Sequence, residues 1–156
     1  MSNADDASQR YPASSPTMVM ILQGRRLEAQ VEAALKTLGL SMRRLGLLGH
    51  LSREPGISYS ALARRAGIKV QSLHPIMDGL VAEGYVATVG SVDQGRAAVI
   101  ELTPRGRDAL SQANGIIASF DRDAFSADEY HQELGRALSS VGEYMWRSRG
   151  AAGSAE

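Results

Sequence analysis

The sequence contains no cysteine, which excludes disulfides, thiolate metal sites, a cysteine nucleophile and thiol-based redox sensing. It has no net charge either, since 17 Lys plus Arg stand against 17 Asp plus Glu. The molecule as a whole is therefore not drawn to DNA or anionic lipid, and any nucleic-acid site must come from local charge. Long apolar runs are missing. The longest early one, Met18 to Leu22, is far too short to span a bilayer, and no signal-peptide pattern precedes it, so a cytoplasmic protein without membrane contact is expected. Histidine is confined to His50, His74 and His131, with no short-spaced pair, so no metal site is expected. There is no phosphate-binding glycine loop, nucleophile elbow or zinc motif, and Asp121 and Asp123 have no partner for acid–base work. Neither an enzyme nor a cofactor-dependent protein is expected.

What is present is an ordinary globular composition, 44% hydrophobic and 22% charged over 156 residues, enough for one domain with additional helices. Residues 1–16 read as a flexible polar tail without a periodic apolar face. From Met18 to Leu38 the pattern is helical, with Leu27, Val31, Ala34, Leu35 and Leu38 at three- and four-residue steps. Met18 to Leu22 is apolar on every side, which asks for burial beyond one face, such as a partner subunit supplies. Gly39 is a left-handed helix end. Ser41 caps a second helix carrying Met42, Leu45, Leu48 and Leu51 on one side, and Pro55-Gly56 breaks it. A short third helix runs from a Ser58 cap through Leu62 and Ala66 to Gly67. A fourth runs from about Val70 to Glu83, with Leu73, Ile76, Met77 and Leu80 inward, and stops at Gly84.

The period then becomes extended. Tyr85 to Val89 and Ala97 to Leu102 are β-prone, with a polar, glycine-containing tip from Gly90 to Gly95 between them. Thr103-Pro104 starts a fifth helix striped by Leu110, Ala113, Ile117 and Phe120. Ser126 to Glu129 has the spacing of a capping box. The last helix carries Tyr130, Leu134, Ala137, Leu138, Val141 and Met145 on one stripe, with Tyr144 and Trp146 expected in an inter-subunit core.

Two short helices joined by a glycine turn and followed at once by a hairpin predict a winged helix-turn-helix. The fold class is mainly α with a small β-hairpin wing. The expected organisation is a winged helix-turn-helix over 40–103, helical dimerisation segments over 17–39 and 104–147, and a flexible tail over 148–156. Charge supports the assignment. Residues 40–107 hold nine bases against five acids, so a basic centre is flanked by acidic segments in a neutral chain.

At this point the chain resembles the MarR family of bacterial transcriptional regulators over residues 18–147. The most specific stretch is ISYSALARRAGIKVQSLHPIMDGLVAEGYV followed by the wing SVDQGRAAVIELTPRG. The family pattern of Leu-x-x-x-Gly, Asp-x-x-Arg and Leu-Thr-x-x-Gly matches Leu80–Gly84, Asp93–Arg96 and Leu102–Gly106. There are departures. Ala87-Thr88 stands where a basic residue is common, and the wing carries less charge than usual, which implies fewer phosphate contacts. Pro75 sits inside the recognition helix, as in some branches of the family. One branch senses peroxide through a first-helix cysteine, which this chain lacks.

The resemblance implies a homodimer that binds double-stranded operator DNA and represses transcription until a small aromatic or anionic effector releases it. The other reading is a winged-helix protein-interaction module that has lost DNA binding, which the weakly charged wing keeps open. Gln71, Ser72 and His74 lie at the exposed start of the recognition helix and either contact DNA or solvate a helix terminus. Arg96 is read as a minor-groove or phosphate contact oriented by Asp93. Arg64 and Arg65 end the third helix, where the macrodipole accounts for one of them and phosphate for the other; Lys69 joins the same basic group. Arg43 and Arg44 begin the second helix, where the dipole disfavours cations, so they need phosphate or an acid such as Glu28 or Glu32. The resemblance also implies an effector pocket between the dimer helices and the winged domain. Its candidate lining is Val31, Leu35, Arg43 and His50, with His50 as a source of pH response or alternatively a buried side chain.

Overall fold

Side-chain caps mark where several helices of this chain begin. The computed structural model describes residues 15–89 and 99–152, with side chains described over 15–88 and 99–144. Within these the order is α1 (Pro16–Lys36), α2 (Met42–Arg53), α3 (Tyr59–Ala66), α4 (Val70–Ala82), β1 (Val86–Val89), β2 (Val99–Leu102), α5 (Pro104–Phe125) and α6 (Glu129–Ala152). Ser41 Oγ accepts the Arg44 N–H at 3.2 Å, Ser58 Oγ that of Ala61 at 3.3 Å, and Thr103 Oγ1 that of Gly106 at 3.0 Å. Each satisfies an amide that a first helical turn leaves orphaned. Gly39, Gly67 and Gly84 close the preceding segments with φ of 70°, 67° and 77°. Gly67 has the largest consequence, because its left-handed backbone turns α3 into α4 within three residues, at a φ that strains any residue with a Cβ.

The strands pair antiparallel, Val86 opposite Leu102 and Val89 opposite Val99. The expected wing tip at Gly90 to Gly95 lies outside the described residues. One core holds the arrangement together. α2 packs on α3, α5 and β2, α3 packs on α4, and α1 packs on α5. Leu35, Leu47, Leu48, Leu51, Leu62, Leu73, Met77, Leu80 and Ile100 are fully buried in it. This is the mainly helical winged helix-turn-helix expected from the order of the elements.

Several details differ from the sequence expectation. Met42 is exposed and Leu47 is buried, because α2 is enclosed on several sides and its inner face is wider than one stripe. The capping box at Ser126 does not form. Ser126 closes α5, its hydroxyl bonding the Arg122 carbonyl, and Asp128 caps α6 by accepting the His131 N–H at 2.9 Å. A carboxylate one residue before the helix does that work equally well. Arg44 does not pair with Glu28 or Glu32. Glu32 instead accepts the Met42 N–H at 2.8 Å, so α1 caps the start of α2.

The stripe of α6 is exposed along Tyr130, Leu134, Ala137, Leu138 and Val141. Val19, Met20, Ile21 and Leu22 of α1 are exposed as well. Met145 and Trp146 have side chains outside the described set. Among the described residues no helix is long and apolar enough to cross a membrane.

Candidate nucleic-acid interface and an adjoining cleft

The inner face of α4 is committed to the core by Leu73, Met77 and Leu80, which leaves Gln71, Ser72, His74, Pro75 and Asp78 exposed on its outer side. Lys69 stands exposed immediately before the helix. Pro75 has no N–H, so the Gln71 carbonyl loses its helical donor on this exposed side and is left as an acceptor. Arg64 and Arg65 are both exposed at the end of α3, but they are not equivalent. Arg65 is ion-paired with Glu54, whereas Arg64 has no ion pair among the described residues. The structure thus brings Arg64, Lys69, Gln71, Ser72 and His74 to one end of the helix-turn-helix. Asp93 and Arg96 lie outside the described residues.

Tyr59 was not singled out by the sequence. Its ring stacks on the His74 imidazole with centroids 5.0 Å apart and planes 17° apart, joining the first turn of α3 to the exposed part of α4. No spacing rule connects two residues on helices separated by a turn; a lone aromatic directly after a helix cap was the available hint.

The far end of α4 is held by charge. Arg44 donates to both carboxylate oxygens of Glu83, at 2.9 and 2.8 Å, and to the Gly39 carbonyl at 3.1 Å. The hydrogen bonds from Arg44 hold the Glu83 carboxyl below the usual carboxylate range. This fork ties α4 to the α1–α2 connection. Tyr85 adds a second tie, its hydroxyl donating to the Leu38 carbonyl at 2.8 Å.

Beside these ties lies a cleft of about 410 Å³ lined by Leu38, Tyr85, Arg105, Asp108, Ala109 and Gln112. The Arg105 guanidinium sits 5.0 Å from the centre of the Tyr85 ring. The cleft is framed by the end of α1 and the start of α5, but none of Val31, Leu35, Arg43 and His50 is in its wall. Val31 and Leu35 are consumed by the core, and Arg43 points to solvent. His50 is buried on α2 at 9% exposure. Burial, then the charges of Arg53 and Arg65, lower its pKa below the usual imidazole value. Among the described residues no three His, Asp or Glu side chains are placed to hold a metal ion.

Residues 38–97 match the family model described as MarR family. The HTH-type transcriptional repressor Rv2887 of Mycobacterium tuberculosis (strain ATCC 25618 / H37Rv) is 34% identical over 121 residues, covering 78% of this chain and 82% of that protein. A structure of Rv2887 in complex with DNA is similar at TM-score 0.68 and 27% identity, covering 83% of this chain and 98% of that one. A structure of Rv2887 with salicylic acid is similar at TM-score 0.64 and 29% identity, covering 82% and 96%. With the family model matched over the helix-turn-helix and 34% identity carried across 82% of that repressor, the chain belongs to the MarR family.

Proposed function

We propose that this chain is a sequence-specific DNA-binding transcriptional repressor, acting in the cytoplasm as a homodimer and released by a small aromatic acid. The observation that carries the reading is the exposed polar side of α4, set on a helix-turn-helix beside cationic Arg64 and Lys69. That combination suits a helix lying in the major groove with phosphate contacts at its start. The related repressor Rv2887, known in complex with DNA, supports it. The exposed apolar residues of α1 and α6 supply the dimer interface, which sets two winged domains to address half-sites about one helical turn apart.

Roles follow from position. Arg64 and Lys69 contact phosphate, while Arg65 is engaged by Glu54. Gln71, Ser72 and His74 face bases. Arg96 of the wing takes a phosphate or minor-groove position with Asp93 beside it. A salt-dependent gel shift on the DNA upstream of the protein's own gene tests the whole reading. Arg64→Ala and Arg96→Ala are each expected to weaken binding to every sequence and to reduce the salt slope by about 1. Gln71→Ala is expected to cost about 1–3 kcal/mol on the operator and little on random DNA. Absence of any salt-dependent shift would favour a winged-helix module working through protein contacts.

The effector site is the cleft beside α5. Its volume of about 410 Å³ suits a small ring, Leu38 and Ala109 offer apolar walls, and Arg105 offers a cation for a carboxylate. Salicylic acid and p-aminosalicylic acid, found with Rv2887, are the appropriate class. An occupant there touches Tyr85, which is tied to Leu38 and follows the Glu83 end of α4. It therefore changes DNA affinity to the extent that it prefers one placement of α4 over another. Arg105→Ala is expected to abolish the rise in melting temperature that salicylate produces while operator binding without ligand persists. A full ligand-induced rise in the variant places the effector elsewhere.

A further inference from the structure

Tyr59 and His74 make a ring-on-ring contact between the two helices of the helix-turn-helix. An aromatic that merely fills the space between two helices meets aliphatic side chains, and the packing of α3 on α4 already has these in Leu62, Leu73 and Met77. Tyr59 is half-buried against that core, and beyond this its ring is laid on an exposed imidazole, 5.0 Å between centroids and 17° from parallel. His74 stands between Gln71 and Asp78 on the exposed side of α4, three residues after one and four before the other. Burial, then the charge of Asp78, raises the Tyr59 hydroxyl pKa, so the ring meets His74 as a neutral phenol.

We propose that Tyr59 is a positioning residue for sequence readout, holding the His74 ring in one orientation so that its N–H is presented to the major-groove edge of a purine. This rests on α4 being the helix that reads DNA. A purine offers N7, and guanine also O6, as acceptors in the major groove, and an imidazole N–H is a matching donor. An exposed histidine ordinarily samples several rotamers and loses that freedom on binding. A stack already made in the free protein removes the loss, which corresponds to about 2- to 12-fold in affinity. Because the gain appears only where His74 meets an acceptor, Tyr59 acts on the preference for one sequence over another, although it need not touch DNA.

The test uses the full chain and two DNAs: the duplex that the wild type enriches most from a random library, and a random duplex of equal length. Dissociation constants are measured for wild type, Tyr59→Phe, Tyr59→Leu, His74→Ala and the double variant. Tyr59→Phe keeps the stack and is expected to match wild type. Tyr59→Leu is expected to lose about 2- to 12-fold on the enriched duplex, and His74→Ala, which removes the base contact itself, at least as much, each with little loss on the random one. The double variant is expected to be no weaker than His74→Ala alone, the mark of one shared interaction. Tyr59→Met, which fills similar space without a ring, replaces Tyr59→Leu if the latter does not fold. Additive losses in the double variant, equal losses on both duplexes, or no loss from either ringless variant would overturn the assignment while leaving DNA binding intact. A wild type that enriches no sequence would remove the DNA-reading role of α4, and this inference with it.

Discussion

Gly106→Ala is expected to be among the most destabilising single substitutions in this chain. A Cβ at that position would lie 1.9 Å from the Tyr85 carbonyl oxygen, 2.9 Å from its carbonyl carbon and 3.3 Å from a methyl of Leu102. The first turn of α5 therefore rests on bare backbone. Moving Tyr85 away is not cheap, because its carbonyl accepts the Thr103 N–H at 3.1 Å and the Thr103 hydroxyl at 3.2 Å. The same hydroxyl bonds Gly84 O at 2.6 Å and caps α5 through the Gly106 amide. Overpacking a core ordinarily costs about 1–3 kcal/mol, and a backbone collision inside a hydrogen-bonded corner belongs above about 4 kcal/mol. Against a total stability of about 5–15 kcal/mol, that loss is a large share of what holds a typical domain folded. Urea denaturation followed by circular dichroism measures this directly. A midpoint close to that of wild type would show that the corner yields. The geometry also gives the Leu-Thr-x-x-Gly pattern at Leu102–Gly106 a physical meaning: the threonine caps the helix, and the glycine lets that helix touch the strand.

The paired substitution Leu134→Asp with Leu138→Asp is expected to produce a folded monomer that has lost most of its operator affinity. Both side chains are exposed in the single chain, so charge there does not break its core. At a dimer interface formed by this apolar stripe the new carboxylates would be desolvated, and association is expected to fail. Two half-sites engaged by one dimer typically bind about 10²- to 10⁴-fold more tightly than either alone, and that factor is what the monomer forfeits. Sedimentation velocity and a gel shift on the same sample decide the matter. A variant that stays dimeric would move the interface off α6, and a monomer that binds as well as wild type would make dimerisation irrelevant to recognition.

Much of this molecule is written in local chemistry. Ser41, Ser58 and Thr103 start helices because a side-chain oxygen three residues before an amide can reach it without help from the rest of the fold. Gly39, Gly67 and Gly84 end segments because left-handed backbone is a property of one residue. The switch from helical to extended periodicity after Gly84 marked both strands. These local signals, in this order, sufficed for the winged helix-turn-helix, while the family rested on resemblance in the motifs at Leu80–Gly84, Asp93–Arg96 and Leu102–Gly106. The local signals also sufficed to place Gln71, Ser72 and His74 on the open side of α4, since the buried stripe of that helix leaves them no other place.

What depends on residues far apart in the chain was not legible there. Arg44 is paired with Glu83, 39 positions later, rather than with an acid on α1; the choice is made by where the end of α4 comes to lie. Arg64 and Arg65 are neighbours with the same charge, and only the packing of α2 against α3 shows that Glu54 takes the second. Val31, Leu35 and His50 looked like pocket residues but were absorbed by the core, while Tyr85, Arg105 and Asp108 were left around the cleft. A periodic pattern ranks residues by how apolar their face is, so it finds what is buried; it does not report where two elements fail to meet. A cleft, an ion pair across helices and a stack such as Tyr59 on His74 are such meetings, and they exist only once the tertiary structure has set the elements side by side.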